Sequence, residues 1–79
     1  MVKVTEYYTP TCPMCNALKQ RLSAIKSNNL EVEFINALEN NPNGYTSMPW
    51  VIIEKDGKII LNEHPVSIGR VVNLVQVNL

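Results

Sequence analysis

Long apolar runs are missing from this sequence of 79 residues. Nowhere is there an apolar stretch on the order of 18 residues, so no membrane-spanning helix and no membrane partner are expected. The opening Met1-Val2-Lys3-Val4-Thr5-Glu6 also lacks a run of signal-peptide length, which leads to the expectation of a soluble, cytoplasmic protein. An excess of charge of either sign is absent too: 7 Lys and Arg stand against 7 Asp and Glu. The basic footprint of a nucleic-acid binder is therefore lacking. A chain this short has room for one domain, residues 1–79, burying about 60–65% of its unfolded surface. A monomer is expected.

Cysteine is scarce, with 2 residues in all, but the two sit close together as Cys12-Pro13-Met14-Cys15. A bridge between them closes so short a loop that it removes little entropy from the unfolded chain, so its value must be chemical. Cytosolic thiols are kept reduced, and a close pair there is usually redox-active or metal-binding.

Val2 to Tyr8 alternates Val2, Val4, Glu6 and Tyr8 with Lys3, Thr5 and Tyr7, a β-branched and aromatic mixture that predicts a strand. Thr9-Pro10-Thr11 ends it. From Pro13 the period changes: Cys15, Leu18, Leu22 and Ile25 recur at helical spacing, predicting an amphipathic helix to about Ser27. Pro13 suits the first turn, where a missing N–H costs nothing. Leu30 to Ile35 reads as a second strand, so strand, helix, strand implies a parallel pair joined by a right-handed crossover. Asn36 to Ser47 gives little periodic signal and reads as loop, with at most a short helix at Ala37-Leu38-Glu39. Trp50–Glu54 and Lys58–Asn62 flank Asp56-Gly57 and predict an antiparallel hairpin. After His64-Pro65, Ser67 is placed to cap a helix carrying Ile68, Val71, Val72, Val75 and Leu79 on one stripe. The order predicts an α/β fold: a four-stranded mixed sheet, βαβ then ββα, with helices packed on it.

Cys12 falls where the first strand turns into the first helix. Unpaired N–H groups and the positive end of the helix dipole favour its thiolate, making it the expected nucleophile. Cys15 lies one turn inward on the apolar stripe and suits the resolving role, attacking the mixed disulfide formed on Cys12.

A strand, Cys-Pro-x-Cys opening a helix, and Ser47-Met48-Pro49 before a hairpin resemble the thioredoxin/glutaredoxin superfamily over nearly the whole chain. The resemblance implies that Pro49 is the family's cis-proline facing the dithiol and keeping metal away from it. It also implies that the backbone of Met48 pairs with an extended substrate, and that Pro13 and Met14 share that substrate surface. Size and Cys-Pro-x-Cys are similar to dithiol glutaredoxins. The glutathione contacts of that branch are missing: Thr9 stands where a basic residue is usual, and His64-Pro65-Val66-Ser67 replaces a Gly-Gly followed by acidic residues. Trp50-Val51-Ile52-Ile53-Glu54-Lys55-Asp56-Gly57-Lys58 resembles the thioredoxin hairpin, and Glu6, six before Cys12, takes the position of thioredoxin's buried aspartate. Departures from thioredoxin are Thr11-Cys12-Pro13-Met14-Cys15 in place of Trp-Cys-Gly-Pro-Cys, and a segment between Ile35 and Pro49 too short for the family's second helix.

The implied function is reduction of protein disulfides by a thioredoxin-like electron donor with no bound cofactor. The Cys12–Cys15 bridge would be re-reduced by NADPH through thioredoxin reductase or, alternatively, by glutathione. Glu6 is then a proton relay, or else an ordinary strand carboxylate. A different class stays open, a non-catalytic or zinc-bridged interaction domain. Zinc needs four ligands, and two cysteines with the distant His64 supply them only across a dimer. Tyr7, Tyr8 and Trp50 read as core or rim aromatics, Met48 suits gap-filling as well, and His64 is a surface residue with no assigned role.

Overall fold

A computed structural model describes residues 1–79. Strand β1 (Val2–Tyr8) leads into helix α1 (Pro13–Ser23), followed by β2 (Leu30–Asn36), β3 (Trp50–Lys55), β4 (Lys58–Glu63) and α2 (Ile68–Asn78). The four strands form one sheet in the order β2-β1-β3-β4. Strands β1 and β2 run parallel, with Val4 opposite Val32 and Glu6 opposite Phe34. The other two neighbouring pairs are antiparallel.

The period of two along each strand decides which face is buried. Val2, Val4, Val51, Ile53 and Leu61 join Leu18 and Leu22 of α1 and Val71, Val72 and Val75 of α2 in one core. Both helices therefore lie on the same side of the sheet. Fully burying a Leu or Val side chain contributes roughly 1.5–3 kcal/mol, so this cluster is the main source of cohesion.

Helix α1 ends at Ser23, short of the expected Ser27. Ile25 N–H bonds back to the Leu22 carbonyl in a tightened last turn, and Lys26 Nζ donates to the Ser23 carbonyl. Ser27 Oγ then accepts from Asn29 N–H, a local bond that competes with helix. Ile25 still packs against the core from outside the helix. Ser67 caps α2, its hydroxyl accepting from Arg70 N–H at 3.1 Å.

Between β2 and β3 there is no helix. Asn36 Oδ1 accepts from Leu38 N–H, and the carbonyl of Asn36 accepts from the N–H groups of Glu39 and Asn40, a single turn that goes no further. Farther on, the Asn41 side chain clasps Tyr45 from both sides, accepting from its N–H at 2.9 Å and donating to its carbonyl at 2.8 Å. The clasp lays the Tyr45 ring flat on Trp50, centroids 4.5 Å apart, and edge-on to Tyr7 at 5.0 Å. Tyr7 points away from the helices, yet it is only 7% exposed beneath this stack.

Candidate active site

Cys12 is the N-cap of α1, with extended backbone, and Pro13 occupies the first helical turn. The N–H of Cys15 points at Cys12 Sγ, 3.1 Å away, so a donor left orphaned by the helix start faces the sulfur. The two cysteines form a disulfide with Cα atoms 5.2 Å apart. They differ in access: Cys12 is half-buried, whereas Cys15 is 0% exposed in the core-facing turn of α1. Pro13 is exposed and Met14 half-buried beside them.

Across from the helix start, the Met48–Pro49 peptide bond is cis. Pro49 is buried and Met48 partly so. The Met48 carbonyl oxygen lies 3.9 Å from Cys12 Sγ. A disulfide sulfur has no proton to give, so this is a contact in the oxidised form; the reduced thiol has a donor for it.

Glu6 shares the core face of β1 with Val2 and Val4 and is 0% exposed. Neither carboxylate oxygen has a hydrogen-bond partner. Burial pushes its pKa up to about 8 from 4.5, opposed by the positive charge of Lys19. Lys19 is one helical turn beyond Cys15 on α1, a helix that packs on the same face of β1 that carries Glu6. The Lys19 ammonium itself rides over the rings of Tyr8 and Phe34, at 5.1 and 5.2 Å from their centroids.

The structure thus gathers Cys12, Pro13, Met14 and Cys15 at one helix terminus and sets Met48 and Pro49 against Cys12, while Glu6 lies in the core on β1. Nowhere do three or more His, Cys, Asp or Glu side chains gather as metal ligands.

Sequence reasoning missed two residues. Lys19 reads as one polar position on the helix wheel, and only the sheet order reveals that it rides over Tyr8 and Phe34 on adjacent strands. His64, given no role, has Nδ1 2.9 Å from the Pro49 carbonyl oxygen. Counting the hairpin outward from Asp56-Gly57 would have brought His64 near Pro49. The register shift at Ile53/Glu54 moves the count by one residue, so the last pair of the ladder is Val51 with Glu63, and His64 follows directly on that end.

No protein-family model matches this chain, and no curated protein matches its sequence. Solved structures do match. A mutant thioredoxin from Halobacterium salinarum NRC-1 superposes with TM-score 0.74 over 98% of this chain and 74% of its own, at 17% identity. The germline-specific thioredoxin Deadhead of Drosophila melanogaster gives 0.81 over 99% of this chain and 81% of its own, at 13% identity. Fasciola hepatica thioredoxin gives 0.77 over 99% and 81%, at 15% identity. The fold is thioredoxin-like, an α/β sheet with a cysteine pair opening its first helix.

Proposed function

We propose that this protein is a dithiol-disulfide oxidoreductase of the thioredoxin/glutaredoxin superfamily that reduces protein disulfides as a thioredoxin-like electron donor. The observation that carries this reading is the Cys12–Cys15 disulfide itself, with a half-exposed sulfur capping the helix and its partner sealed beneath. In the reductive cycle the Cys12 thiolate attacks one sulfur of a target disulfide, and the other target sulfur leaves as a thiolate. Cys15 loses its proton and attacks Cys12 Sγ, and the second target sulfur leaves. Two electrons have passed to the target, which takes up two protons, and Cys12–Cys15 is oxidised.

Glu6 is the proton partner of Cys15 in this scheme. With its pKa near 8 in the oxidised form, it holds a proton at neutral pH. That proton is available to Cys15 when a reductant opens the bridge. The ionised carboxylate accepts it back during resolution.

Met48, Pro49, Pro13 and Met14 form the surface along which an extended substrate segment lies. The electron source is NADPH through thioredoxin reductase: Thr9 and His64-Pro65-Val66-Ser67 supply none of the charged contacts a glutathione site uses. The protein acts as a cytoplasmic monomer without bound cofactor or nucleic acid.

The deciding experiment follows NADPH oxidation with a protein disulfide as acceptor, supplied with either thioredoxin reductase or glutathione and glutathione reductase. Turnover with the first system alone is expected. Turnover only with the second transfers the protein to the glutaredoxin branch, and no turnover with either, alongside zinc in the purified protein, leaves a metal-bridged interaction domain.

A further inference from the structure

The β3–β4 register pairs Val51 with Glu63. Continued two residues further, it sets Pro49 opposite Pro65. Pro65 has no N–H, so it offers the Pro49 carbonyl no backbone donor across this end of the hairpin. That carbonyl belongs to the segment touching Cys12, since the Met48 oxygen one residue earlier is the atom 3.9 Å from the sulfur. The imidazole of His64 fills the gap, with Nδ1 2.9 Å from the Pro49 oxygen. A carbonyl only accepts, so Nδ1 must carry the proton.

We infer that His64 is a positioning residue of the disulfide site: its Nδ1–H donates to the Pro49 carbonyl oxygen and holds the Met48–Pro49 segment at the distance from Cys12 that an extended substrate chain requires. The inference rests on the function proposed above. Its chemistry is simple, because the bond exists both in the Nδ1–H neutral tautomer and in the imidazolium and is lost only in the Nε2–H tautomer. His64 acts through Met48 and Pro49, not on the reacting sulfurs. It replaces the main-chain donor that Pro65 cannot provide, while Pro65, itself buried, ends β4 and lets Ser67 start α2.

The test combines nitrogen NMR of the imidazole with two variants, His64→Ala and His64→Asn, the Asn amide nitrogen being able to stand near the place of Nδ1. In the wild type the Nδ1–H form should dominate over the Nε2–H form among neutral imidazoles. His64→Ala should shift the amide signals of Met48 and Trp50 and lower kcat/KM for a protein disulfide about 3- to 10-fold, chiefly through KM, the range expected for one hydrogen bond. His64→Asn should recover most of both effects. A dominant Nε2–H tautomer, or an Asn variant no better than Ala in the amide signals, overturns the inference. If the wild type reduces no disulfide with either reductant, the proposed function falls, and the tautomer and the amide signals still decide the place of His64.

Discussion

Cys12 and Cys15 share one helix terminus, yet only Cys12 reaches solvent. In the reduced protein Cys12 should therefore alkylate with iodoacetamide faster than Cys15 below pH 8, because the helix start favours its thiolate and its sulfur is accessible. Mass mapping of the labelled peptide checks this, and equal labelling would reverse the role assignment. Cys15→Ser should accumulate a mixed disulfide on Cys12, whereas Cys12→Ser should turn over no substrate at all. For Glu6 the expected signature is a pH profile. Only its ionised form accepts the Cys15 proton, and ionisation grows as pH rises toward about 8. Resolution of the mixed disulfide should quicken through that pH and level only above it. Glu6→Gln should remove this limb while leaving Cys12 alkylation nearly unchanged, as stopped-flow and labelling experiments can separate.

At the scale of elements, turns and caps are set by single residues whose conformations are special. Asp56 and Gly57 at the hairpin tip have φ of +52° and +84°, the pair of positive values that a two-residue turn matched to strand twist requires. A Cβ added at Gly57 meets no atom within 4 Å, so Gly57→Ala carries a purely conformational cost of about 1–2 kcal/mol. Gly69, near the start of α2, also has open space around it but ordinary helical backbone. Gly69→Ala should stabilise by about 0.4–1 kcal/mol, so urea midpoints of the two alanine variants should move in opposite directions. These elements were legible because their signals are local: Asp56-Gly57, Ser67 and the alternation of Val2 and Val4 each act within a few residues. Cys12 and Cys15 were legible for the same reason. The early end of α1 was not, since Ile25 keeps its apolar contact after the helix has stopped and periodicity cannot distinguish the two cases. Nor was the burial of Tyr7 beneath Tyr45, which depends on a contact far along the chain, whereas the nearness of His64 to Pro49 follows from a count outward from the hairpin turn and only its hydrogen bond does not.

For the molecule as a whole, the buried orphan Glu6 links stability to pH. Its folded pKa of about 8 exceeds its ordinary value of 4.5, so the folded state holds this proton more tightly than the unfolded chain. The contribution is fully present below the ordinary value, is lost as pH rises through the interval, and is gone above the folded value. At about 1.4 kcal/mol per pH unit, the full shift sets a ceiling near 5 kcal/mol, which water entry and relaxation around the carboxylate will reduce. A chain of this size is stable by roughly 4–12 kcal/mol, so even half of that ceiling is a large share. The Lys19 charge, which opposes the shift, moderates the loss. Denaturant unfolding of the oxidised protein should therefore show stability falling from pH 5 to pH 8. Glu6→Leu should flatten the curve and, at pH 7, raise stability by about 1–3 kcal/mol, since an apolar side chain replaces an unpartnered polar group in the core. The same variant should slow disulfide resolution, so the gain in stability and the loss of activity arise from one side chain. An unfolding midpoint that stays constant across this pH range in the wild type would mean that Glu6 finds solvation in the folded protein, and its assignment as proton partner of Cys15 would fall with it.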